Sequence, residues 1–215
     1  PMAGGTHRGV PPAEVRGLLD FDRAQVRELM THYGPIDIVF FDGPPEGLRD
    51  IAWDAQPNTV VTRGAMETPE QRLRGVPLDR PWEACVTMGT EWPYRPAQEK
   101  YKSGTELLEM LIETRAKGGN FLLNVGPKPD GELPIEQEER LREIALWNFV
   151  NGESIAAVRP WVVTNEGNVW FTRKKGEDTV YAFLTKTSWV LGERKTFTLR
   201  SVRATDATAL SVLGH

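Results

Sequence analysis

The sequence predicts an α/β fold with a parallel sheet, followed by a small antiparallel β segment. Three observations carry this reading. The run Ile36-Asp37-Ile38-Val39-Phe40-Phe41 is nearly continuous in apolar character, as strands buried on both faces of a parallel sheet are, and it ends in Asp42-Gly43. Similar short runs alternate with helical periodicity as far as Asn151. After Pro160 the helical spacing stops and β-type runs follow, which predicts one region over 1–160 and a β-rich segment over 161–215.

The elements follow in order. Asp20 to Tyr33 reads as a helix with Val26, Leu29 and Met30 on one face and Gly34 as its stop. Strand 36–41 comes next, then a short helix from Glu46 to Ala55, broken by Gln56-Pro57-Asn58. Thr59-Val60-Val61-Thr62 is a second strand that opens into the polar segment 63–81. Ala84 to Met88 is a third strand, and the loop Gly89 to Lys102 carries Trp92 and Tyr94. Ser103 with Glu106 forms a capping-box pattern for a helix from Gly104 to Ala116, whose Leu107, Leu108, Leu111 and Ile112 recur at helical spacing. Residues 120–125 form the fourth strand and Ile135 to Asn151 the next helix. Beyond Pro160, runs 169–172, 179–184 and 196–199 read as strands.

Composition narrows the function. Lys and Arg number 26 against 30 Asp and Glu, a mild acidic excess that argues against nucleic-acid and membrane-surface partners. No apolar stretch approaches the roughly 20 residues of a membrane span. Cys85 is the only cysteine, so no intrachain disulfide forms and the compartment stays undetermined, with the cytoplasm as the working expectation. His7 and His32 lack partners at metal-ligand spacing and there is no His/Cys cluster, so neither a metal nor another cofactor is expected. Gly118-Gly119-Asn120 precedes a strand instead of following one and is not a phosphate loop.

Carboxylates are the candidate chemistry. An acid at the carboxyl end of a strand stands where α/β folds place their sites, and Gly43 lets the chain turn away behind it. The alternative for Asp42 is a cap on the following helix. Arg63-Gly64-Ala65-Met66-Glu67-Thr68-Pro69-Glu70 follows the second strand and offers one cation and two carboxylates on irregular backbone. Two carboxylates suit glycoside cleavage, but composition alone does not separate Glu67, Glu70 and Glu83 as the acid. Aromatic rings on which a sugar face stacks are at hand in Phe40, Phe41, Trp82, Trp92 and Tyr94. Trp82 and one of the two phenylalanines serve equally well as core.

In this order the motifs resemble those of the retaining α-L-fucosidases of glycoside hydrolase family 29. They comprise Tyr33-Gly34-Pro35-Ile36-Asp37 with Phe40-Phe41-Asp42-Gly43, Val61-Thr62-Arg63-Gly64 with Glu67-Thr68-Pro69-Glu70, and Trp82 to Gly89 with Trp92-Pro93-Tyr94. Lys117 to Pro127 and Asn151-Gly152-Glu153-Ser154-Ile155 complete the set. The resemblance implies Asp42 as nucleophile and Glu70 as acid/base, with Glu67 and Glu83 as fallbacks. It implies substrate binding by Arg63, Trp92, Phe40, Glu67, Glu83 and Tyr94, and a terminal α-L-fucoside as substrate. It also implies a TIM-type (β/α) barrel, of which about four of the eight strands are present, a half-barrel. The amino-terminal half, with the family's Lys-His-His motif, has no counterpart here, and Phe-Phe precedes Asp42 where the family often has Trp. A half-barrel leaves open edges, so a homodimer or larger even oligomer is expected, with His32 a candidate to replace a missing histidine. The alternatives are a monomer that covers its own edges, a catalytically impaired remnant that binds fucose as a lectin does, and a fragment held together by a partner.

Overall fold

The computed structural model describes residues 11–43 and 47–214, in two compact units, Pro1–Thr68 and Pro69–His215.

In the first unit, helix α1 (Pro12–His32) begins well before the expected Asp20. Pro12 occupies the first turn, where its missing N–H costs nothing. Met30 is buried and Val26 half-buried, whereas Leu29, placed on the same face by the sequence reading, is exposed. The buried stripe is the i, i+4 pair Val26–Met30, and Leu29 stands about 100° around the helix from Met30, at the stripe's edge. Helix α2 (Leu48–Ala55) lies within the predicted short helix, whose first residue, Glu46, is outside the described residues. Strands β1 (Ile38–Val39) and β2 (Val60–Val61) pair in parallel, Ile38 with Val60 and Val39 with Val61. The ladder is prolonged by Val60 N–H to Asp37 O at 2.8 Å, Thr62 N–H to Val39 O at 3.0 Å and Phe41 N–H to Arg63 O at 3.3 Å.

The core of this unit joins Met30, Phe41, Leu48, Ala52 and Val61, with Ile36 and Val39 against it. Burial of strand 36–41 on both faces does not hold within the unit. Val39 and Phe41 turn to the helices, while Ile38, Phe40 and Val60 remain 62%, 38% and 45% exposed on the other face. Two helices cover one face of a two-stranded ladder and leave the other bare. Gln56 fastens the entry to β1. Its side-chain oxygen accepts from Ile36 N–H at 2.8 Å, and its Nε2 donates to Met30 O at 2.7 Å and Gly34 O at 2.9 Å.

In the second unit, strands β3 (Glu83–Thr87) and β4 (Asn120–Asn124) pair in parallel in full register, Glu83 with Asn120 through Thr87 with Asn124. Residues 69–71 join the other edge of β3. Cys85 N–H donates to Pro69 O at 3.0 Å, and Gln71 N–H donates to Cys85 O at 2.9 Å. Helix α3 (Gly104–Ala116) carries the predicted capping box. At its far end Trp82 is buried, and its indole N–H donates to Lys117 O at 3.1 Å. A Cβ on Gly119 would lie 2.4 to 2.7 Å from three atoms of the Trp82 ring, so only glycine lets the chain pass. Trp82 is therefore a core residue.

Helix α4 (Ile135–Asn151) and a 3-10 turn (Gly152–Ser154) lead into an antiparallel meander of β5 (Val158–Glu166), β6 (Val169–Lys174) and β7 (Val180–Leu184). It packs on α3 through β5 and β6, and the Trp147 and Phe183 rings tie α4 to β7 at 6.2 Å. The strand expected over 196–199 does not form. The amides that follow it, of Arg200 and Ser201, donate to the Glu166 carboxylate instead of a neighbouring strand.

Candidate active site

Parallel pairing sends β1 and β2 out at the same end, and the candidate residues of the first unit gather there. Arg63 lies two residues past β2 and Asp42 three past β1. The Arg63 Nη1 lies 3.2 Å from Asp42 Oδ1. Its guanidinium also stands over the Phe40 ring, 5.7 Å from the centroid, within cation–π range. The Asp42 side chain is 84% exposed and Arg63 30%, so the carboxylate is presented to solvent while the cation behind it is partly packed. Gly43 takes φ +147°, a backbone angle that side-chain-bearing residues rarely adopt. Of the two phenylalanines, Phe41 went to the core and Phe40 to the candidate site. Thr62 O accepts from Met66 N–H at 2.7 Å, closing a tight turn that begins at Arg63, and half-buried Glu67 follows it.

In the second unit Glu70 sits opposite Cys85 in the parallel bridge beside β3, so the two side chains share a face. Glu83 and Thr87 of β3 share it too. Glu83 opens the strand at its amino end, and burial raises its carboxyl above the ordinary range. Trp92 and Tyr94, both half-buried, stand on the loop that leaves the carboxyl end of β3.

At that end lies a polar cleft of about 510 Å³, lined among others by Gln71, Thr87, Thr90, Tyr101 and Lys102. The Gln71 side-chain oxygen accepts from Thr87 N–H at 3.3 Å and Thr87 Oγ1 at 3.1 Å. Sequence reasoning passed over Gln71 and Lys102. The only signal for Gln71 was its place directly after Glu70, and a lysine one residue before a helix cap reads as solvated surface. Among the described residues no group of three or more His, Cys, Asp or Glu is arranged to hold a metal ion, and no helix is long and apolar enough to cross a membrane. His7 lies outside the described residues, and His32 is exposed in the last turn of α1.

Comparison with known proteins yields one family. The model of the alpha-L-fucosidase family matches residues 17–153. The plasma alpha-L-fucosidase of Rattus norvegicus is 32% identical over 221 residues, covering 89% of this chain and 47% of that protein. The alpha-L-fucosidase of Branchiostoma floridae is also 32% identical, over 91% of this chain and 48% of its own length. The chain thus spans about half the length of the curated relatives it matches. Among solved structures, alpha-L-fucosidase isoenzyme 1 from Paenibacillus thiaminolyticus superposes with a TM-score of 0.69 at 29% identity, over 77% of this chain and 47% of that one. A Thermotoga maritima alpha-fucosidase, solved with a mechanism-based inhibitor, gives 0.61 at 26% identity, over 76% and 44%.

Proposed function

This chain belongs to the α-L-fucosidase family, and we propose that it hydrolyses terminal α-L-fucose from glycosides with retention. The observation that carries the proposal is the Asp42–Arg63 pair at the carboxyl end of adjacent parallel strands, with the Phe40 ring beside it.

The chemistry is a double displacement. An Asp42 oxygen attacks the anomeric carbon as the bond to the leaving oxygen breaks, and protonated Glu70 gives its proton to that oxygen. Glu70 then takes a proton from water, whose oxygen bonds the anomeric carbon as the bond to Asp42 breaks. Arg63 orients the Asp42 carboxylate and binds the sugar, Phe40 and Trp92 offer apolar faces to the ring and its methyl group, and Glu67, Glu83 and Tyr94 complete the binding groups. Two features compete over the acid. Burial favours a protonated Glu83, while the Thr-Pro-Glu motif favours Glu70. The acid is kept on Glu70 by its motif, with Glu67 and Glu83 as fallbacks.

The test is hydrolysis of an aryl α-L-fucoside by wild type and Asp42→Ala. Turnover in wild type that is lost in Asp42→Ala supports the proposal. Equal, slow hydrolysis by both sinks it. Fucose binding without turnover would leave the lectin-like reading.

We further propose that residues 1–160 are half of a (β/α) barrel, distinct from a β-rich 161–215, and that this half pairs with a second copy of the chain. The exposed apolar residues Ile38 and Val60 are what such a partner would cover. Light scattering at micromolar concentration tests this, and a stable, active monomer would defeat it.

A further inference from the structure

The loop 89–102 leaves β3 and returns to the cap of α3, and its two ends are fastened together. Lys102 N–H donates to Met88 O at 2.9 Å. The Lys102 ammonium donates to Thr87 O at 2.7 Å and to Gly89 O at 3.3 Å. Burial pushes this ammonium below the usual lysine range, so its contacts with the carbonyls replace much of its water. Inside the loop one oxygen of Glu99 accepts from Thr90 N–H at 2.6 Å, Thr90 Oγ1 at 2.8 Å and Lys100 N–H at 3.1 Å. Bonds of this kind to an ionised acceptor are the stronger class.

A separate element holds the middle of the loop. A Cβ on Gly126 would lie 2.7 Å from Tyr94 N and 2.8 Å from Pro93 C, so the backbone at 93–94 rests directly on the chain just beyond β4. Gly126 is itself gripped by α4. Its N–H donates to the Gln137 side-chain oxygen at 3.0 Å, and Gln137 Nε2 donates to Gly126 O at 3.3 Å. A surface loop whose ends are joined in this way has an Ω-type form. It carries Trp92 and Tyr94, both half-buried.

We propose that this loop is a preformed platform for the substrate's sugar, and that Glu99 and Lys102 are positioning residues that set where Trp92 and Tyr94 stand. The proposal rests on the fucosidase reading above for the identity of the substrate. Neither residue has to touch the sugar. They act by ordering the loop beforehand, because a loop that must be ordered on binding subtracts its lost entropy from affinity.

The experiment combines hydrogen exchange of the loop amides with steady-state kinetics on an aryl α-L-fucoside, in the full chain. The variants are Glu99→Ala, Glu99→Gln and Gly126→Ala. Glu99→Ala is expected to speed exchange across 90–100 about tenfold, and to raise KM about tenfold while kcat stays within about threefold. Gly126→Ala, which pushes on the loop from the opposite side, should give the same pattern. Glu99→Gln keeps a carbonyl acceptor for Thr90 and should recover most of the protection and the KM. Unchanged loop exchange in both Glu99→Ala and Gly126→Ala overturns the platform, as does faster exchange with kcat reduced and KM steady. If wild type turns over no substrate, the fucosidase reading fails by itself, and exchange alone decides whether Glu99 holds the loop.

Discussion

Replacing Arg63 by alanine separates a catalytic role from a structural one, because the structure assigns very different sizes to the two effects. The guanidinium lies 3.2 Å from the Asp42 carboxylate, and at that distance two unit charges in water attract by about 1.3 kcal/mol. Asp42 is 84% exposed, so solvent and salt screen the pair and side-chain entropy opposes it, leaving about 0–1 kcal/mol of stability. Losing the stacking on Phe40, at 5.7 Å and partly exposed, adds about 0.5–1 kcal/mol. These two contacts together thus account for about 2 kcal/mol of stability at most. Catalysis should suffer far more. Once substrate displaces water, a fixed donor aimed at the reacting groups is worth about 10²–10³ in rate. Arg63→Lys keeps the charge without the planar fork and should fall between. Urea unfolding followed by tryptophan fluorescence gives the first number, and kcat/KM on an aryl α-L-fucoside gives the second. Activity within about threefold of wild type in a folded Arg63→Ala would refute the assignment. A loss of stability well beyond the bound would mean that Arg63 holds up the fold.

Other expectations follow from the same structure. Glu70→Ala should slow fucosides with poor leaving groups far more than activated aryl fucosides, whose departure needs little protonation; equal slowing would shift the acid to Glu67 or Glu83. Gly119→Ala drives a methyl group into the buried Trp82 ring and should cost about 1–3 kcal/mol, read from the urea midpoint. Ser103→Ala removes the side-chain half of the α3 capping box and should cost about 1 kcal/mol. Glu106, which accepts from the Ser103 N–H and hydroxyl, is held below its ordinary value of 4.5 by those bonds. A lowered carboxyl stabilises the fold above its unfolded value and loses that contribution as pH falls through the folded one. The stability gap between wild type and Glu106→Gln should accordingly shrink in acid titrations below 4.5.

What was legible in the sequence was local. Helix α3 and its capping box follow from Ser103, Glu106 and a run of good helix formers, and α4 from periodicity between Pro134 and Gly152. The strand 36–41 was located but its environment was not, because continuous apolar character does not say which face a given unit covers. Strand β5 was read as a boundary, since Pro160 and the irregular register between Pro160 and Asn165 interrupt its pattern. Residues 196–199 have strand composition without a strand partner. At the candidate site, Asp42 and Arg63 were legible because parallel neighbours end on one side, so residues just past two paired strands come together. Glu99 and Lys102 were not, because each bonds to backbone groups brought near by the loop, and no periodicity records that.

Gln56 shows how narrowly one substitution can be confined. Its side chain meets an N–H with its oxygen and two carbonyls with its nitrogen, so the position asks for an acceptor and a two-handed donor at a single reach. Glutamate has the same shape and lies one base change away in the genetic code, yet it would set a negative oxygen against the carbonyls of Met30 and Gly34. Asparagine keeps the chemistry but is a methylene too short. Drift at this codon is thus restrained by chemistry in one direction and by length in the other, and the strand that delivers Asp42 inherits its starting point from that restraint.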